Sequence, residues 1–242
     1  MGLTSDGEID ETSSSEIGDK TESAKLPSKE KNPDLSSYLK RPALWALGIC
    51  FALIAIGDAA VTAHQVSFIT DMNIRETVAA SALGFTLGIS AISKFGSGWL
   101  ADRLSSRYIA IMFLIVEVAG MLLLMRANTI SGIWLFVVVY GLGVGASATL
   151  LPMVLWDIFG SSAFSMLFAI LDVFFRTGFT LGVPFAGFVF DATGSYRLVF
   201  TIVIGLYIIA AVIMYFTFGV NPRPFTKNLK KPAIAGANLH SN

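Results

Sequence analysis

Six long apolar segments with few charges occupy most of the sequence after residue 42. A helix needs about 20 predominantly apolar residues to cross the hydrocarbon layer of a membrane, where backbone polar groups must be satisfied within the segment. Short stretches with turn residues or charges separate the segments. The sequence therefore predicts an all-α membrane protein with six transmembrane helices. The predicted spans are approximately Ala43–Ile69, Val78–Leu100, Tyr108–Met125, Ile133–Leu155, Phe164–Phe190 and Leu198–Phe218.

A soluble helical protein is the alternative for such a pattern. The helices of a soluble bundle carry polar faces at helical spacing, whereas these segments are apolar all round. With 54% hydrophobic residues in the whole chain, lipid is the expected surroundings of the six segments. The lipid bilayer is thus the first predicted partner.

The first 41 residues have a different composition. They hold 9 of the 17 acidic residues, 6 of the 17 basic residues and eight serines, with few large apolar side chains. Such a stretch buries too little apolar surface to offset its chain entropy, so residues 1–41 are predicted to be a disordered, acidic and serine-rich tail. It lacks the features of a cleaved secretory signal. The membrane domain is predicted at 42–220 and a second tail at 221–242.

Charge and residue usage disfavour several function classes. The 17 basic and 17 acidic residues balance, and no basic face suggests nucleic-acid binding. One cysteine, Cys50, and two histidines offer neither a disulfide nor a metal-ligand cluster. No glycine-rich nucleotide loop is present. We therefore expect no cofactor, no metal and no enzymatic activity.

The distribution of Lys and Arg near the helix ends predicts the orientation. With both termini on one side, that side carries nine basic residues against three on the other, so both termini are predicted to be cytoplasmic. The nine are Lys40, Arg41, Lys94, Arg103, Arg107, Arg223, Lys227, Lys230 and Lys231, and the three are Arg75, Arg126 and Arg197.

Residues 98–107, GWLADRLSSR, follow the second span. This stretch resembles the cytoplasmic loop signature of the major facilitator superfamily, with matches at Gly98, Asp102, Arg103 and, more loosely, Arg107. The two serines before the last position replace a glycine and an arginine that the family prefers. A carboxylate beside guanidinium groups can form a clasp that opens and closes between conformations. The resemblance implies a cytoplasmic gating loop, and a plain solubilising loop is the alternative.

Three further stretches extend the resemblance. Residues 64–71 (HQVSFITD), 157–164 (DIFGSSAF) and 191–197 (DATGSYR) are similar to the C-terminal six-helix half of the branch with monocarboxylate and oxalate/formate carriers. Together they cover roughly residues 42–218 in the expected order. The resemblance implies a half bundle of a secondary transporter, with a second six-helix half supplied by another chain, by a copy of this chain, or by a longer protein of which this is a fragment.

Five ionisable residues lie inside the spans, and each costs about 2.5 to 3.5 kcal/mol or more at a helix centre unless it has a partner or a cavity. They are Asp58, Lys94, Glu117, Asp172 and Arg176. In the oxalate/formate branch, cations on the second and fifth helices of this half bind the carboxylate substrate. The resemblance therefore implies that Lys94 and Arg176 form the site for a small organic anion.

The remaining titratable residues leave alternatives open. Asp172 lies four residues before Arg176 and could form a structural ion pair along one helix face. It could instead couple transport to protons by releasing the arginine when protonated. Asp58, Glu117 and His64 are the other proton-coupling candidates, and His64 could equally be an interfacial residue.

Small residues allow close helix contacts in membranes. Three glycine pairs spaced four residues apart are candidates for such contacts: Gly84 with Gly88, Gly141 with Gly145, and Gly178 with Gly182.

The leading functional hypothesis is proton-coupled or exchange transport of a small organic anion, such as a monocarboxylate, by alternating access. Its rival is a truncated or non-transporting membrane subunit, because half a carrier supplies one wall of the binding cleft. The plasma membrane is preferred over an organelle membrane as the location.

Overall fold

A computed structural model describes residues 35–161 and 163–220, and every element in these ranges is a helix. A short helix, α1 (Leu35–Leu39), precedes six long ones: α2 (Pro42–Asp71), α3 (Glu76–Ala101), α4 (Ser106–Arg126), α5 (Ile130–Phe159), α6 (Phe164–Thr193) and α7 (Tyr196–Val220). Six helices in the described ranges are long and apolar enough to cross a membrane. The predicted all-α fold with six spans is confirmed. The rest of the two predicted tails, residues 1–34 and 221–242, lies outside the described residues.

The long helices extend past the predicted spans by up to four residues at an end. A hydropathy pattern marks the hydrocarbon depth, while a helix continues until its end groups are capped. Thr129 caps α5 by accepting a hydrogen bond from the Gly132 backbone N–H at 3.2 Å. Gly160 and Gly194 follow α5 and α6 with φ of 75° and 66°, a region that glycine adopts without a Cβ penalty.

Helix α1 lies inside the segment that was predicted to be a disordered tail, so the helical region begins earlier than residue 42. Aromatic contacts explain the difference. The ring centres of Tyr38 and Phe159 lie 6.2 Å apart, and the Arg41 guanidinium lies 5.1 Å from the Tyr38 ring. The Trp45 indole N–H donates to the Leu39 carbonyl at 2.8 Å. Composition alone reveals none of these contacts, of which the one between Tyr38 and Phe159 joins residues far apart in the chain.

The six long helices form two groups of three with matching packing. Helix α2 packs mainly against α6 and α7, and α5 packs mainly against α3 and α4. If α2, α3 and α4 are exchanged with α5, α6 and α7 in that order, the same pairs of helices are in contact. This is expected for a bundle built from two three-helix repeats. Helices α2 and α5 therefore occupy the centre, while α3 and α6 each present one face away from the bundle.

Two of the three glycine pairs lie in tight helix contacts. A Cβ on Gly178 or Gly182 of α6 would collide with the backbone of α2 at Ala52 or Ile56. The pair Gly141 and Gly145 of α5 likewise packs against α3. Small residues at these positions allow the helix backbones to approach each other where lipid supplies no hydrophobic drive for association.

The third pair, Gly84 and Gly88 of α3, lies in no such contact. Both residues are exposed, and a Cβ on either would meet nothing within 4 Å. A Cβ on Gly98 in the loop signature would also meet nothing within 4 Å. The packing interpretation therefore does not apply to Gly84 and Gly88 within this chain, and their side of α3 is open.

Helices α2, α4 and α6 begin, and α3, α5 and α7 end, at the end of the bundle that carries the loop at residues 102–105. We refer to it as the Asp102 end. At this end the Ser106 hydroxyl donates to Asp157 Oδ2 at 2.5 Å and so links the start of α4 to the end of α5.

Candidate functional site

A cluster of polar side chains lies in the centre of the bundle around Asp58 of α2. The Tyr207 hydroxyl donates to Asp58 Oδ1 at 2.8 Å. The single proton of the Ser147 hydroxyl is shared between Asp58 Oδ2 at 3.2 Å and the Val144 carbonyl oxygen at 2.9 Å. The Tyr140 hydroxyl lies 3.1 Å from the Tyr207 hydroxyl. These four side chains are buried and come from α2, α5 and α7. Two hydroxyl donors thus solvate the carboxyl group of Asp58 in place of water.

Glu117 of α4 completes the group, which we call the Asp58 cluster. Its side chain is 0% exposed, and neither carboxyl oxygen has a hydrogen-bond partner among the described residues. Glu117 and Ser147 line the same small cavity. Among the described residues, no cationic side chain pairs with Asp58 or Glu117. A buried carboxyl group without a partner is unfavourable when charged, so protons are the simplest counter-ions for this cluster.

Glycines make room for the large members of the cluster. A Cβ on Gly57 would lie 2.6 Å from the Tyr207 ring, and a Cβ on Gly143 would lie 2.5 Å from Glu117 Cγ. Gly57 directly precedes Asp58 in the sequence. The cluster therefore requires glycine, which has no side chain, at these two positions in addition to its polar groups.

The cationic candidate Lys94 lies elsewhere, on the open side of α3. Its side chain is exposed and forms no ion pair within the described ranges. It stands about 10 Å along the helix from Ala101, at 1.5 Å per residue. Buried serines next to Lys94 on α3 bind α5, because the Ser93 hydroxyl donates to the Leu142 carbonyl at 2.5 Å and Ser97 lies 2.7 Å from the Thr149 hydroxyl, so Lys94 lies at the edge of the face that packs on α5.

Arg176 is the second cationic candidate, and it is engaged along its own helix. Its Nε lies 2.5 Å from Asp172 Oδ2, and the Arg176 side chain remains 77% exposed. The ion pair that was one of the alternatives for these residues is therefore present. Lys94 and Arg176 lie on helices with different main partners, α5 for α3 and α2 for α6.

His64 of α2 is half-buried, outside the Asp58 cluster. Its Nε2 lies 3.3 Å from the Val183 carbonyl oxygen, and its ring lies 5.4 Å from that of Tyr196. Tyr196 begins α7, at the end of the bundle opposite Asp102. This location agrees with the alternative of an interfacial residue.

The loop signature does not form the expected clasp in this structure. Asp102 and Arg103 are exposed, and among the described residues neither Arg103 nor Arg107 pairs with Asp102. Arg103 instead lies 3.9 Å from the Trp99 ring, and Arg107 lies 4.9 Å from the Tyr215 ring. Aromatic faces also attract a guanidinium group. Trp99 lies four residues before Arg103, whereas Tyr215 is far from Arg107 in the sequence, so only the second contact could not be expected from spacing.

Ser147, Tyr140 and Tyr207 were not identified as site residues from the sequence. A tyrosine hydroxyl within an apolar span needs a hydrogen-bond partner, so the sequence indicates that both tyrosines contact a polar group. The sequence does not identify that polar group as Asp58, because residues 58 and 207 are far apart in the chain. In residues 35–161 and 163–220, no three His, Cys, Asp or Glu side chains group closely enough to hold a metal ion.

Comparison with known sequences gives one family. A model of the Major Facilitator Superfamily matches residues 45–239. Monocarboxylate transporter 12-B of Danio rerio is 26% identical over 203 residues, which cover 82% of this chain and 42% of that protein. Monocarboxylate transporter 13 of Bos taurus is 25% identical over 182 residues, covering 73% and 42%. The chain thus spans about two fifths of the length of the curated relatives it matches.

Solved structures share the fold. An auto-inhibited peptide transporter of the POT family has a TM-score of 0.66 and 19% identity, with 76% of this chain and 38% of that chain covered. The transporter FucP in an outward conformation has a TM-score of 0.62 and 17% identity, with 75% and 44% covered. Both similarities extend over less than half of the larger protein, as expected for one six-helix half.

Proposed function

This chain belongs to the major facilitator superfamily, and we propose that it forms one half of a secondary carrier for a small organic anion such as a monocarboxylate. Transport by alternating access requires a second six-helix half, with the substrate between the two halves near the bilayer midplane. The monocarboxylate transporters among its relatives support the substrate class.

The position of the two cations carries this proposal. Lys94 and Arg176 project from the open sides of α3 and α6, about 10 and 18 Å from the ends of their helices at the Asp102 end. A charge that faced lipid at such a depth would be strongly unfavourable. A water-filled cleft shared with a second half removes this cost. Two cations on the walls of such a cleft would attract a carboxylate.

Proton coupling is the second part of the proposal. The Asp58 cluster offers two buried carboxyl groups, Asp58 and Glu117, that have no cation partner among the described residues. Asp172, which is half-buried, is the alternative on the open side of the bundle, because its protonation would release Arg176 for the anion. His64 is the weakest candidate, since it lies away from both groups.

The expected setting is a multi-pass protein in the plasma membrane with both termini in the cytoplasm. The excess of Lys and Arg at the Asp102 end supports this orientation. In that setting the loop at residues 102–105 would act as the cytoplasmic gating loop together with Gly98 and Arg107.

Uptake of radiolabelled lactate into proteoliposomes that contain the full chain tests the proposal. We expect a proton gradient to increase uptake and Lys94→Gln to abolish it without loss of membrane expression. Arg126→Gln, an exposed change at the far end of α4, is the matched control and should leave uptake unchanged. Full uptake by Lys94→Gln would remove the proposed anion site.

A truncated or non-transporting subunit is the alternative, favoured by the chain's coverage of about two fifths of its relatives. Native size in mild detergent separates the two. A monomer without any lactate flux supports the alternative, whereas a dimer with flux supports a carrier built from two copies.

A further inference from the structure

An apolar groove runs along the outer side of the bundle between α4 and α7. Its volume is about 330 Å³, and its wall on α4 includes Ile111, Ile115 and Val118. Ala211 and Tyr215 line the α7 side. This groove lies on different helices from Lys94 and Arg176, so the proposed anion cleft does not use it.

A cation lies beside the groove, next to its lining residue Tyr215. The guanidinium of Arg107 lies 4.9 Å from the Tyr215 ring and 5.9 Å from the Tyr108 ring. Arg107 is half-buried, and within the described ranges it forms no ion pair. It belongs to the first turn of α4, whose positive dipole end adds to the attraction for an anion.

The dimensions of the groove match one membrane leaflet. From Arg107 to Val118 the α4 helix rises about 16 Å, and half of the hydrocarbon layer measures about 15 Å. The charged end therefore lies at headgroup level when the groove ends near the bilayer midplane. Arg107 at the membrane surface is complementary to an anionic headgroup, and the apolar walls below it are complementary to an acyl chain. Together they match one anionic lipid.

We propose that the groove between α4 and α7 is a binding site for an anionic glycerophospholipid. Arg107 binds the headgroup phosphate, and one acyl chain lies against Ile111, Ile115, Val118 and Ala211. Arginine suits this role because its planar group donates several hydrogen bonds to a phosphate while its face rests on an aromatic ring. The site does not depend on whether the chain transports an anion.

The inner end of the groove reaches the Asp58 cluster. Tyr207 lines the groove, and its hydroxyl donates to Asp58 Oδ1 at 2.8 Å. A bound acyl chain therefore packs against a residue that holds the central carboxyl group. Lipid occupancy should restrain the Tyr207 ring and with it the cluster.

Native mass spectrometry of the full chain, released from micelles that contain phosphatidylglycerol or phosphatidylcholine, tests the site. We expect retained phosphatidylglycerol to exceed phosphatidylcholine and Arg107→Gln to reduce the retained phosphatidylglycerol about fivefold, the factor that corresponds to roughly 1 kcal/mol per basic residue at an anionic surface. Arg103→Gln removes a charge at the same end, outside the groove, and should retain the lipid.

A second pair of variants tests the acyl-chain part. Ala211→Trp fills the groove and should reduce lipid retention, whereas Ala119→Trp on the exposed side of α4 should not. Equal retention of both lipids, with no effect of Arg107→Gln, would indicate ordinary boundary lipid and overturn the proposal. Loss of a dimer in Ala211→Trp with unchanged lipid retention would assign the groove to a second copy and overturn it as well.

Discussion

The charges inside the spans fall into two regions that differ in burial and in partners. Asp58 and Glu117 lie in the centre of the bundle, where hydroxyl groups and glycines surround them. Lys94 and the Asp172–Arg176 pair lie on open helix faces. The centre is acidic and closed within this chain, while the open faces carry the cations.

In the proposed carrier, this difference would separate two tasks. A buried carboxyl group can bind and release a proton with little rearrangement, but it cannot reach a substrate outside the bundle. An exposed cation can reach a substrate, but within this chain it has only one wall of a cleft. The comparison predicts that substitutions in the centre alter stability strongly and that substitutions on the open faces alter function with little loss of stability.

Gly57→Ala should have the largest effect on stability. The added Cβ would lie 2.6 Å from the Tyr207 ring, and overpacking of this kind costs about 1 to 3 kcal/mol. We expect a clearly lower thermal midpoint in detergent. Gly205→Ala on α7 is the control, because a Cβ there meets nothing within 4 Å. Equal midpoints for the two variants would show that the centre tolerates displacement of Tyr207.

Glu117→Met should have an intermediate effect of opposite sign. The substitution keeps an unbranched side chain of similar length and removes two buried oxygens that have no partner among the described residues, which cost about 1 to 3 kcal/mol when left unsatisfied. We expect a higher thermal midpoint together with loss of proton-dependent uptake. Glu117→Gln keeps polar atoms in the same place and should show no gain. A lower midpoint for Glu117→Met would mean that the carboxyl group stabilises the fold.

The double variant Asp172→Asn with Arg176→Gln should have the smallest effect on stability. An exposed ion pair contributes about 0 to 1 kcal/mol, so the thermal midpoint should change little. Uptake of lactate should fall, because the open face of α6 loses its cation. A midpoint as low as that of Gly57→Ala would place the pair in the packed core and end the distinction between the two regions.

Much of the architecture followed from composition and local pattern. The six spans were predicted within a few residues because the cost of an unsatisfied backbone in lipid leaves only long apolar helices. Helix α1 within the first tail was not predicted, because the packing of Tyr38 on Phe159 of α5 is a contact between residues far apart in the chain. The residues at which helices end depend on local caps such as Thr129, and a hydropathy pattern does not predict these caps.

The sequence by itself determined that the chain crosses a membrane six times, which family it resembles, and which five ionisable residues lie within the spans. Only the tertiary structure decided the direction in which each of them points. Helices that are apolar all round have no polar stripe to set their rotation, so hydrophobic periodicity cannot separate a buried Asp58 from an exposed Lys94. Rotation is set instead by contacts between distant residues, such as the close fit of Gly57 with Tyr207 and the hydrogen bonds that bring Ser147 and Tyr207 to Asp58.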